Sequence, residues 1–164
     1  MKLTSQEEYG LRCLLRLARQ TSSLTIPEIS EAEGISTHYV AKLMRILRRG
    51  GFVTAARGQA GGYALARTPE RIIVGEALAL LGGRIFESDF CKEHSGSEKL
   101  CTNTVDCSIR SLWRTVQLVV DQVLAKTTLR ELVGNEQEMT TWVGSLINIS
   151  DAENPLASQL TAGR

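Results

Sequence analysis

Apolar residues recur at helical intervals through most of this chain, broken by one short alternating stretch and one polar stretch that carries cysteines. Leu3, Leu11, Leu14, Leu15 and Ala18 mark one face of a helix over roughly residues 4–20. Thr4 and Glu7 have the spacing of a capping box at its start. Cys13, midway along, reads as a small apolar packing residue. Glu8 stands off the stripe and reads as a solvated charge near a helix start.

The segment SSLTIPEISEAEGISTHYVAKLMRILRRGGF predicts two short helices. Pro27 suits the first turn of one, and Gly34 closes it in a tight corner. Ser36 caps the next, which runs to about Arg49. Ile35, Val40, Leu43, Met44 and Leu47 point inward, leaving Thr37, His38, Lys42, Arg45, Arg48 and Arg49 outside. Two helices joined through glycine form a helix-turn-helix unit, whose second helix enters a major groove by its N-terminal residues.

Gly50-Gly51 stops that helix. The periodicity then shortens to that of a strand at residues 52–57 and again at 63–66, around the tip Gly58-Gln59-Ala60-Gly61-Gly62. After a helix-turn-helix such a hairpin is a wing, and Arg57 at its base can reach phosphate or a minor groove. The glycines are no P-loop, since the Lys-Ser/Thr end and the strand-to-helix setting are both missing.

Ile72, Ile73, Val74, Ala77, Leu78, Leu80 and Leu81 predict a further short helix, ended by Gly82-Gly83. Past the cysteines, Ile109, Leu112, Trp113, Val116, Val119, Val120, Val123 and Leu124 give about five turns with a wide apolar face. Such a helix needs a partner, and a second copy of the chain supplies one in a two-fold dimer. Thr127 to Leu132 reads as one capped turn. From Gly144 onward no element is predicted, and the end is expected to be mobile.

Charge sharpens this picture. Residues 1–75 carry 11 Lys and Arg against 6 Asp and Glu, and residues 76–164 carry 8 against 12, so the net charge of +1 hides a basic half. The basic half is the one with the reading unit, as a polyanion partner requires. No apolar run reaches membrane-spanning length, and the acidic residues in MKLTSQEEYGLR argue against a secretory leader. The expected location is cytoplasmic, with no membrane contact.

Cys91, Cys101 and Cys107 are separated by nine and then five residues. Three thiolates are soft ligands for iron or zinc. The intervals are too long for CxxC pairing and differ from the compact ferredoxin run. Iron–sulfur, zinc and thiol or disulfide sensing all stay open, as does no special role. A complete centre needs a fourth ligand, for which His94 and Asp106 are local candidates and Glu8 a remote one.

Taken together, MKLTSQEEYGLR, IPEISEAEGISTHYVAKLMRILRRGGFV, RGQAGGYALA, the triple-cysteine stretch and TLRELV resemble bacterial winged-helix regulators of the IscR, NsrR and RirA group over roughly residues 1–133. The resemblance implies a homodimeric transcription factor that senses iron–sulfur status, iron, nitric oxide or redox state. It places Cys91, Cys101 and Cys107 on the three cysteine ligands, with a first interval longer than is familiar in the group. IscR-like members have a histidine ligand where this chain has Arg110, which cannot ligate as a neutral base. NsrR-like members use an aspartate of the other subunit, and Glu8 occupies the matching place. Ala41 stands where IscR-like proteins have glutamate, so their operator preference does not carry over.

The expected fold is mainly α: a winged helix-turn-helix with a small β-hairpin wing and a long dimerisation helix. Its parts are a DNA-binding domain at 1–83, a cysteine-rich loop at 84–108, the dimerisation helix and following turn at 109–133, and a partly flexible segment at 134–164. The expected function is a non-enzymatic regulator of transcription, a repressor, binding double-stranded DNA as a homodimer. Its control is a [4Fe–4S] or [2Fe–2S] cluster on Cys91, Cys101, Cys107 and Glu8. Ser36, Thr37, His38 and Tyr39 face bases or phosphates, Lys42 and Arg45 face the backbone, and Arg57 reaches phosphate or a minor groove. The alternatives are a cluster-free thiol-sensing regulator and a small iron–sulfur redox protein or electron carrier. The last leaves the basic half unexplained.

Overall fold

Helix starts in this chain follow its hydroxyl and carboxylate spacing. In the computed structural model, which describes residues 3–56, 58, 61–83 and 106–153 (backbone only for 147–153), α1 spans Ser5–Ala18 behind the Thr4/Glu7 capping box. Thr25 and Glu28 form a second box ahead of α2 (Ile26–Glu33), which Gly34 closes at a φ of 64°. That left-handed turn is cheap only for glycine. Ser36 caps α3 (Thr37–Arg49) by accepting the Tyr39 N–H at 3.3 Å.

The two strands, β1 (Val53–Ala56) and β2 (Gly62–Leu65), pair antiparallel with Val53 opposite Leu65 and Ala56 opposite Gly62. Leu24 adds an isolated bridge to Tyr63 on the outer edge of β2. A single 3-10 turn at Pro69–Arg71 leads to α4 (Val74–Leu81). The core collects Cys13, Leu14 and Leu17 of α1, Ile29 of α2 and the Val40, Leu43, Met44 and Leu47 face of α3. Phe52, Val53, Ile72, Ala77 and Leu81 complete it. Leu3 departs from the predicted stripe: it precedes the helix and lies exposed. Leu17, absent from that stripe, is buried in its place.

The long helix α5 covers Ser108–Lys126. It meets the rest of the chain through α4, where Leu124 packs over Gly75 at a distance that leaves no room for a larger residue without adjustment. Trp113, Val116, Val120, Val123 and Leu124 are half-buried, while Ile109 is 60% exposed, Leu112 54%, Leu118 57% and Val119 53%. Gln117, donating to Asp121 at 2.6 Å, is the buried residue of the helix. Of the predicted apolar face, Ile109, Leu112 and Val119 are exposed among the described residues.

After α5 the chain returns to the first domain. Val74 N–H donates to the Thr127 carbonyl and Leu129 N–H to that of Ile72, at 2.9 and 2.8 Å. Thr128 and Glu131 cap α6 (Leu129–Val133), and Leu129 is fully buried in the core. This turn, grouped by sequence with the long helix, thus closes the winged-helix domain. A final helix, α7 (Glu136–Glu153), occupies a region with no predicted element. Its signal was local: the Asn135 side chain accepts the Glu138 N–H, and Asn135 N–H donates back to Glu138. No described helix is long and apolar enough to cross a membrane.

Candidate nucleic-acid interface and cysteine site

The burial of one face of α3 fixes what the other can offer. Because Val40, Leu43, Met44 and Leu47 are locked inside, Ser36, Thr37, His38, Lys42, Arg45, Arg48 and Arg49 are all exposed. Tyr39 differs from these neighbours. It is half-buried, its ring meeting that of Tyr9 edge-on at 5.9 Å and 89°. The Lys42 ammonium lies 5.4 Å from the Tyr39 ring centroid, a cation–π placement that holds this cation beside the first turn of α3.

One strip of α1 holds both helices of the unit. Tyr9 touches α3 through Tyr39, and the Arg12 guanidinium stacks 5.6 Å from the Tyr9 ring centroid. Arg12 Nε and Arg16 Nε then pair with the two oxygens of Glu33 on α2, at 3.0 and 2.8 Å. Arg12 also donates to the Glu33 carbonyl and Arg16 to that of Ala32, capping the C-terminus of α2. The Glu33 side chain is only 12% exposed. Sequence reasoning overlooked this set, although Tyr9, Arg12 and Arg16 recur at helical spacing on the side of α1 away from its leucines.

At the wing, the Gly62 Cα faces the Leu24 backbone so closely that a Cβ would lie 2.7 Å from its carbonyl oxygen. Arg67 stacks 5.1 Å from the Phe52 ring centroid at the hairpin base, and it pairs with Glu76 at 3.7 Å. Arg57 lies outside the described residues.

Cys91, His94 and Cys101 also lie outside them. Cys107 is half-buried as the N-cap of α5, and its Sγ accepts the Arg110 N–H at 3.4 Å. The other described cysteine, Cys13, is fully buried, and that burial pushes its thiol up to about 12, helped by the Glu33 charge and opposed by Arg12. It has no access to solvent chemistry. Glu7 and Glu8 are neighbours with opposite surroundings: Glu7 is buried in its capping box, and Glu8 is exposed. The first turn of α1 is tied to the end of α4, since Gln6 donates to the Leu81 carbonyl and the Glu7 carboxylate lies against Gly82. Glu7 lines an apolar groove together with Leu3, Leu78, Gln117, Val120 and Leu124. Cys107 precedes Gln117 by ten residues, about 15 Å of helical rise.

A family model described as "Rrf2: Iron-dependent Transcriptional regulator" matches residues 3–135. The chain belongs to the Rrf2 family. It is 30% identical over 167 aligned positions to the HTH-type transcriptional regulator IscR of Sodalis glossinidius, covering 100% of this chain and 93% of that protein. Its fold is similar to that of T. potens IscR, with a TM-score of 0.64 and 28% identity over 81% of this chain and 86% of that one. It is similar as well to CymR, the global cysteine regulator of B. subtilis, with a TM-score of 0.62 and 26% identity over 81% and 96%.

As an Rrf2 regulator, the protein is a DNA-binding winged-helix transcription factor and not an enzyme. The Tyr9–Arg12–Arg16 strip of α1 fixes α2 and α3 together, with the polar side of α3 left exposed. Among the described residues no three His, Cys, Asp or Glu side chains converge on one point. Glu8 and Cys107, at the first turn of α1 and the start of α5, are the two expected ligands that the structure describes.

Proposed function

We propose that this Rrf2 regulator controls its affinity for DNA through an iron–sulfur cluster held by Cys91, Cys101 and Cys107 of one copy and Glu8 of a second. The observation that carries this reading is the position of Cys107. It puts a half-buried sulfur at the start of a helix that leaves Ile109, Leu112, Leu118 and Val119 exposed among the described residues. A thiolate accepting a backbone N–H is a suitable soft donor, and an exposed carboxylate is a suitable hard one. Arg110, three residues on, supplies no ligand.

The uncovered residues of α5 support a two-fold dimer through that helix. The helical distance between Cys107 and the groove beside Glu7 favours a carboxylate from the second copy over one from the same chain. When bound, an iron–sulfur cluster supplies a group whose charge and ligand set change on oxidation, iron loss or reaction with nitric oxide. Glu8 offers the weakest and most displaceable donor of the set. The chain couples that first turn to DNA mechanically: Glu8 precedes Tyr9, which packs on α3, and Gln6 and Glu7 anchor the turn to α4. Repression follows if the state that seats α3 correctly is also the state that occupies the operator. The same donor set suits a [4Fe–4S] or a [2Fe–2S] centre.

Anaerobic purification and reconstitution test the reading, with visible absorption and with iron, acid-labile sulfide and zinc measured per chain. Iron and sulfide lost on replacing Cys101 and destabilised in Glu8→Ala support it; iron and sulfide absent after reconstitution refute it. The likeness to the cysteine regulator CymR favours a second reading, in which the three thiols oxidise without a cluster. That reading predicts no bound iron and an oxidant-dependent change in DNA affinity.

A further inference from the structure

Arg12 and Arg16 are cations on the helix that seats the reading unit, yet neither is free to meet a phosphate. Both guanidiniums are spent on Glu33, one on each carboxylate oxygen, and both also cap carbonyls at the end of α2. Arg12 lies against Tyr9, and Tyr9 against Tyr39 on the first turn of α3, so the pair of charges flanks the surface that approaches DNA. Their side chains remain 38% and 29% exposed, enough to swing outward if the carboxylate let go. Glu33 is the opposite: at 12% exposure it is a nearly buried anion whose charge is compensated by these two partners alone among its described ion pairs.

A cation beside a reading helix adds affinity for any sequence, because each phosphate it neutralises releases counterions regardless of the bases nearby. Two such cations raise non-specific binding more than they raise discrimination. We propose that Glu33 limits the non-specific DNA affinity of this regulator: by holding Arg12 and Arg16 it withholds two positive charges from the DNA backbone. It thereby leaves recognition to the exposed side of α3. This depends on the winged-helix domain binding DNA and is independent of any cluster.

The full-length protein is tested with two duplexes, one selected from a randomised pool and one unrelated, each titrated at several salt concentrations. Glu33→Gln keeps the side chain's shape and removes its charge. In this variant the dependence of log affinity on log salt for the unrelated duplex steepens by about one to two, near 0.9 for each phosphate newly contacted. Affinity for that duplex rises by about three- to tenfold at moderate salt, and affinity for the selected duplex rises by a similar factor. An unchanged slope and unchanged affinities in a Glu33→Gln protein of native helicity and melting temperature overturn the proposal. Arg16→Gln is the second arm, and it leaves the Arg12–Glu33 pair in place. If Arg16 is withheld from DNA, its removal leaves the salt slope as in the native protein. A slope flattened by about one means that Arg16 already touches phosphate, and it overturns the proposal whether or not the Glu33 variant folds.

Discussion

Leu24 and Tyr63 exchange two backbone hydrogen bonds, Leu24 N–H to the Tyr63 carbonyl at 2.9 Å and Tyr63 N–H to the Leu24 carbonyl at 2.7 Å. That exchange ties β2 of the wing to the segment leading into α2. It requires Gly62, whose φ of 153° and proximity to the Leu24 carbonyl exclude a side chain. Gly62→Ala is expected to lose about 1–3 kcal/mol, read from urea unfolding. DNA affinity should fall while the helical signal is retained.

Leu129 closes the core from more than forty residues beyond α4. Truncation to Ala leaves a cavity among Ile72 and the residues of α1, at a cost of about 2–5 kcal/mol. Urea titration followed by circular dichroism checks this. A loss under 1 kcal/mol would mean that α6 is not part of the core.

The helix-turn-helix was legible because its signals are local. Gly34 needs a left-handed turn, Ser36 offers a cap, and the apolar spacing over Val40 to Leu47 can be satisfied on one face only. Docking is a different matter. That Thr127 to Leu129 pair with Ile72 to Val74 depends on the path of the intervening chain, and no local pattern encodes it. Tyr39 shows the same limit on α3: its edge-on contact with Tyr9 depends on how α1 crosses α3, which no local pattern encodes. The start of α7 was encoded by Asn135 and Glu138 and went unread because no strong apolar periodicity follows it.

Lys42 and Arg45 sit on the exposed side of α3, one and two turns from its start. Replacing either with Ala should weaken binding to all duplexes alike and reduce the salt slope by about one each. His38→Ala should instead lower discrimination between duplexes with the slope unchanged. Fluorescence anisotropy across a salt series separates the two effects.

The thiols should divide by burial. Cys13, with its pKa pushed up to about 12, should resist iodoacetamide in the folded protein at mildly alkaline pH, whereas half-buried Cys107 reacts. An acid whose folded pKa lies above its ordinary 9.0 keeps its proton longer in the folded state than in the unfolded one. Its contribution to stability is complete below the ordinary value and is lost as pH rises toward the folded value. Alkaline denaturation should therefore be less steep for Cys13→Ala than for the native chain, measured by unfolding at a series of pH values above 9.0.

One paired titration tests most directly whether the cysteine site sets DNA affinity. Anaerobic protein reconstituted with iron and sulfide, and the same preparation stripped by a chelator, are titrated against the duplex selected from a randomised pool. The account predicts affinities that differ by about fivefold or more, the range of ordinary allosteric coupling, with the difference abolished in Cys107→Ala. Equal affinities for the loaded and stripped forms, at matched salt and with iron and sulfide verified per chain, would contradict it.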